Sequence, residues 1–138
     1  MATVDLKAVD KQGIIEELVD LLVSGGAIPD RQAAIDAVLA RERTMSTGMK
    51  FGIAIPHGKT ATVSSMVACI GIARQPVQFD SLDGHPSDIF ILTLSPPARS
   101  GPHLQFLAEV SRLFKSEDRR AAALAARTPE ELVAAISD

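Results

Sequence analysis

The chain has 138 residues, a formal net charge of -3 at pH 7, 46% hydrophobic residues and only 4% aromatic ones. That length suits one domain with a sizeable core, which must be built from Ile, Leu, Val and Ala. The mild acidity argues against a nucleic-acid binder, which needs a basic face. No apolar run approaches the ~20 residues of a membrane span. The start, Met1 to Leu6, lacks the basic and apolar regions of a signal peptide, so a cytoplasmic protein without membrane insertion is expected. The single cysteine, Cys69, cannot form an internal disulfide and reads as buried and inert.

From about Gly13 to Ser24, Ile14, Ile15, Leu18, Val19, Leu21 and Leu22 recur at helical spacing, and Gly25-Gly26 ends the pattern. Asp30 is placed to cap a second helix, on which Ala34, Ala37, Val38 and Arg41 share a face. A loop, Met45 to Phe51, leads to the short apolar run Ile53-Ala54-Ile55. Pro56 has no amide for a ladder, so a strand should stop there and present His57 at its end, in a turn with Gly58. Met66 to Ala73 reads as a buried strand, Pro76 to Pro86 as turn-rich with a hairpin turn at Asp83-Gly84, and Asp88 to Ser95 as the next core strand. Ser100 or Gly101 should cap a helix that tolerates Pro102 and turns His103, Phe106, Leu107 and Val110 inward. A helix from about Glu117 to Ala126 follows, and Thr128 with Glu131 opens a last one. Helices first, strands in the middle and helices last predict an α/β sandwich, a single domain over residues 1–138 with a mixed sheet flanked by helices.

Three chemistries compete on the residues alone. Gly58-Lys59-Thr60 resembles the end of a phosphate loop, but five residues rather than four separate Gly52 from Gly58, and Pro56 offers no amide. A metal site would draw on His57, His85 and His103, whose spacings are wide and lack a carboxylate cluster, so no metal is expected. His85 reads as an exposed turn residue. The third is nucleophilic chemistry at His57, for which Arg41 and His103 must converge on it, and periodicity does not demonstrate such convergence.

The segment from Arg41 to Gly48, followed by Gly52-Ile53-Ala54-Ile55-Pro56-His57-Gly58-Lys59, resembles type-2 IIA domains of the bacterial phosphotransferase system. These include fructose- and mannitol-type domains and the nitrogen-regulatory IIA protein. The likeness continues through Val77 to Gly84, Ile89 to Leu94 and Pro102-His103-Leu104. It implies that His57 is phosphorylated and that Arg41 and His103 support the phosphoryl group, the second ring nitrogen of His103 being held by backbone. Thr47 and Gly58 are expected at the phosphate position. It implies no cofactor, an HPr-like phosphocarrier as donor, docking through an apolar rim at Phe51 or Phe79, and a IIB domain or a regulated protein as partner. A short chain starting at Met1 without a linker favours the nitrogen-regulatory form; the alternative is a sugar-specific component passing phosphate to a IIB domain. The side of the imidazole that carries phosphate stays open.

Overall fold

The computed structural model describes residues 1–98 and 100–137. In chain order the elements are β1 (Ala2–Leu6), α1 (Lys11–Ser24), α2 (Arg31–Thr44), β2 (Ile53–Ala54), β3 (His57–Lys59), β4 (Val67–Val77), β5 (Ser87–Ser95), α3 (Ser100–Leu113), α4 (Glu117–Ala125) and α5 (Pro129–Ile136). The sheet order is β1-β4-β5-β2, with β3 also paired to β5. β4 and β5 run antiparallel, while β1 pairs parallel with β4 and β2 and β3 pair parallel with β5. The sheet is therefore mixed, as expected of the α/β sandwich.

β4 and β5 sit in the middle because both of their faces must be covered, and their sequences are nearly unbroken apolar runs. Phe90, Leu92 and Leu94 face α1 and α2, whereas Ile89 and Ile91 face the layer of α3, α4 and α5. Helix starts follow their capping chemistry. Asp10 accepts from Gly13 N–H at 2.7 Å and Asp30 from Ala33 N–H at 3.0 Å. Thr128 accepts from Glu131 N–H at 3.1 Å, while the Glu131 carboxylate reaches back to Arg127 N–H at 2.7 Å. Gly26, at φ 74, takes the left-handed conformation that stops the chain after α1.

Several expectations need correction. A strand, β1, precedes the first helix; the alternation of Val4 and Leu6 with polar neighbours carried that signal. A register shift between Thr3 and Leu6 turns Leu6 into the opposite core from Val4. β4 runs on through Pro76 to Val77, since a second register shift between Ile72 and Val77 frees that stretch from the ladder. Asp83-Gly84 lies in a turn, with Gly84 N–H donating to Ser81 O, but the β4–β5 connection is longer than a tight hairpin. α3 already includes Ser100 and Gly101, so neither stands before the helix as its cap. Pro102 stands third in that helix, among the amides that have no internal partner.

His57 is not in a turn. The edge strand stops at Ala54 and resumes at His57, whose register partner on β5 is Thr93. Ile55 and Pro56 form only the break between β2 and β3, and Pro56 still accepts Thr93 N–H through its carbonyl at 3.1 Å. The proline interrupts the edge without ending it.

Candidate functional site

Alternation along β3 turns His57 and Lys59 to one face and Gly58 to the other. Behind Gly58 lies α2. A Cβ on Gly58 would stand 2.8 Å from the carbonyl carbon of Ala37 and 2.9 Å from Val38 N, so only glycine lets the helix backbone come this near. Ala34, Ala37 and Val38 supply the small surface that makes the approach possible. One turn further on, Arg41 reaches the edge of β3. Gly58 thus serves packing, and through packing it sets where the guanidinium stands.

Arg41 Nη1 donates to the Met45 carbonyl at 2.9 Å and to Thr44 Oγ1 at 3.3 Å, which ties the side chain to the end of its own helix. The next residue, Glu42, is a buried carboxylate that the sequence reading passed over. It accepts from Thr47 N–H at 2.8 Å, from Thr47 Oγ1 at 2.7 Å and from Lys11 Nζ at 3.2 Å. Thr47 O in turn accepts Ile55 N–H at 3.0 Å, and Ile55 O accepts the Nδ1–H of His57 at 2.8 Å. These bonds tie Glu42, the Thr47 loop and the imidazole into one framework, and the Glu42 charge acts on His57 through space. A carbonyl oxygen can only accept, so the proton is on Nδ1 and the lone pair of His57 is on Nε2.

His103, the fourth residue of α3, is 3% exposed, and its ring centroid lies 5.1 Å from that of His57 with the planes tilted by 57°. Its Nδ1 shares a hydrogen bond of 3.1 Å with Thr93 Oγ1. The expected backbone partner for that nitrogen is replaced by a side chain. Arg41, His57, Gly58, Lys59, His103 and Leu104 line one open cleft of about 520 Å³. Burial pushes the His57 imidazole below its ordinary pKa, against the pull of the Ile55 bond and the Glu42 charge, and Arg41 lowers it further. Burial also lowers His103, with the charges of His57 and Lys59 acting in the same direction. Two neutral rings flanked by two cations face the same space.

The structure brings together His57, His103, Arg41 and Gly58. It places Thr47 elsewhere: buried, with its hydroxyl proton given to Glu42, it supports the loop beneath His57 and does not line the cleft. Phe79 is fully buried against Phe90, so it forms no docking rim. Phe51 is exposed but adjoins Gly52, which accepts from Ile89 N–H, four residues before Thr93 along β5 and so roughly 13 Å away. The apolar rim of the cleft is Leu104 and Leu107 instead. His85 is exposed in its turn, and among the described residues no group of three His, Cys, Asp or Glu is placed to hold a metal. Cys69 is buried and its thiol is pushed up to about 12, mainly by burial. Lys59, Thr93 and Glu42 escaped the sequence reading. Thr93 had a signal, as a polar residue inside the apolar run Ile89 to Leu94.

Another cavity, of about 420 Å³, lies between α3, α5 and the sheet; its lining is mostly apolar, with Glu109 and the chain's Met1 end, and includes neither imidazole. Among the described residues no helix is long and apolar enough to cross a membrane.

Comparison with known proteins places the chain in a family and the fold among solved structures. The sequence profile of the family described as "Phosphoenolpyruvate-dependent sugar phosphotransferase system, EIIA 2" matches residues 1–138. A fructose-specific EIIA component of Haloferax volcanii is 40% identical over 120 residues, covering 87% of this chain and 78% of that protein. The nitrogen regulatory protein IIA-Ntr of Neisseria meningitidis superposes with a TM-score of 0.91 at 29% identity, over 99% of this chain and 92% of the other. The mannitol enzyme IIA of Escherichia coli, solved in complex with phosphorylated enzyme IIB, shares the fold with a TM-score of 0.81 at 19% identity, over 98% and 92% of the two chains. The chain belongs to the type-2 EIIA family of the phosphoenolpyruvate-dependent sugar phosphotransferase system.

Proposed function

We propose that this chain is a phosphocarrier that takes a phosphoryl group onto Nε2 of His57 from the phosphohistidine of an HPr-like protein. The observation that carries the reading is the bond from Nδ1–H to Ile55 O, which leaves the lone pair on Nε2 of a ring that lines the cleft. That lone pair attacks phosphorus in line, the P–N bond of the donor breaks, and its electron pair returns to the donor imidazole. Positive charge grows on the His57 ring as the new bond forms. The Ile55 carbonyl and the nearby Glu42 charge stabilise that charge, and the imidazole keeps its Nδ1 proton throughout. Arg41 and Lys59 supply charge for the equatorial oxygens, and His103 supplies an N–H.

No step in this scheme calls on a metal or a nucleotide, because the donor phosphoryl group is already activated. Leu104, exposed beside His103, and Leu107 give the partner protein an apolar contact around the charged centre. Both partners would meet in the cytoplasm.

Two acceptors fit. The close superposition on a nitrogen regulatory protein supports a regulatory role, in which phosphorylation alters binding to a target protein. The identity with a fructose-specific EIIA component supports handing the group to a IIB domain for sugar uptake. Phosphorylated chain mixed with purified IIB proteins separates them: efficient transfer selects transport, and phosphate retained on the chain selects regulation. The carrier reading itself is tested by His57→Ala, which should take up no label from a phosphorylated donor. Normal labelling of that variant would defeat it.

A further inference from the structure

We propose that Thr93 is a positioning residue that fixes His103 as the Nε2–H tautomer and so aims its single ring proton at the phosphoryl position. Thr93 is fully buried on β5, directly opposite His57 in the parallel ladder. It holds both histidine segments at once: its backbone N–H donates to Pro56 O, just before His57, and its hydroxyl meets Nδ1 of His103.

The direction of that second bond follows from satisfaction of buried groups. A hydroxyl has one proton to place, and among the described residues His103 Nδ1 is the one side-chain partner of Thr93 Oγ1. If Nδ1 carried the proton, Thr93 would accept it and leave its own O–H buried without an acceptor. With Thr93 donating, Nδ1 is satisfied as an acceptor and the ring proton must sit on Nε2. The two imidazoles then have complementary roles. His57 keeps Nδ1–H on Ile55 and offers a lone pair, while His103 has its Nδ1 held by Thr93 and offers a donor.

The rate consequence rests on the phosphocarrier reading, whereas the tautomer is a property of the resting protein. NMR of the imidazole nitrogens in the full chain should find His103 as the Nε2–H tautomer. Thr93→Val, which keeps the shape and removes the hydroxyl, should populate the Nδ1–H form and lower kcat for uptake from a phosphorylated HPr-like donor about five- to tenfold, with the KM for donor unchanged. Thr93→Ser should restore both. A wild-type His103 protonated at Nδ1 would overturn the inference, as would a folded Thr93→Val chain that keeps both tautomer and kcat. If Thr93→Val does not fold, the wild-type tautomer and the Thr93→Ser rate decide. Should wild-type protein take no phosphate at all, the carrier reading falls while the tautomer still tests Thr93.

Discussion

The two faces of the sheet are packed differently. On one side α1 presents Ile14, Ile15, Leu18, Val19 and Leu22, each at most 1% exposed, and α2 lies so near β3 that Gly58 has no room for a methyl group. On the other side the apolar stripe of α3, formed by Phe106, Leu107, Val110 and Leu113, is only half buried, and Leu104 is 63% exposed. His57 lies at the edge strand where the two sides meet. The tight side fixes the β3 segment carrying His57, and the Arg41 guanidinium, through the close approach of α2 to Gly58. The thinner side brings His103 and an apolar rim, and leaves an opening through which a partner protein can approach. Catalysis by positioning needs the first property, and transfer between proteins needs the second.

Several variants can break this contrast, from the strongest expected effect to the weakest. Arg41→Ala removes the cation that the tight side delivers, and single-turnover labelling of His57 should slow by ~10²–10³-fold. A change under threefold would mean that the guanidinium does not meet the phosphoryl group. His103→Ala should slow the same step by about 10²-fold. Its circular dichroism should stay near wild type, since the half-buried stripe and Phe114 just beyond α3 keep the helix packed, while the thermal midpoint drops a little because the buried Thr93 hydroxyl loses its acceptor. Collapse of the fold would instead assign His103 a structural role.

Gly58→Ala drives a methyl group into the Ala37–Val38 backbone and should cost about 1–3 kcal/mol, read from chemical denaturation. Leu104→Ala, on the thin side, should leave stability unchanged and raise the KM for the donor. If both variants lost equal stability, the packing contrast would be wrong.

The smallest effect concerns pH. Both imidazoles have folded-state pKa values below the unfolded one, so between those values the unfolded chain binds more protons than the native one. Their contribution to stability is therefore complete above pH ~6.5 and is lost as the pH falls through the folded values. Thermal midpoints measured downward from pH 7.5 should fall more steeply in wild type than in His57→Ala. Parallel curves would show that His57 does not add to the slope.

Much of this was legible in the sequence because strong local chemistry wrote it there. The helix α1, the Asp30 cap of α2, the buried runs of β4 and β5 and the inward face carrying His103 each follow from periodicity or capping. The convergence of Arg41 and His103 on His57 was not, because those residues are brought together by sheet register and a glycine contact. Resemblance suggested it, and coordinates were needed to supply the geometry. β1 was missed since a short edge strand buries little, and its pattern shifts at the bulge. Thr47 was misplaced for a related reason. Its partner Glu42 was given no role from sequence, and only burial reveals that it collects the Thr47 amide and hydroxyl. Lys59 was set aside together with the failed phosphate-loop motif, although strand alternation alone puts it on the same face as His57.

The atom that receives the phosphoryl group decides whether His57 works as proposed. Phosphorus–nitrogen couplings in an isotope-labelled chain, phosphorylated by an HPr-like donor, identify that atom directly. A phosphate on Nε2 of His57, with Nδ1 still protonated and bonded to Ile55, is the predicted result. A phosphate on Nδ1, or on any residue other than His57, would contradict it.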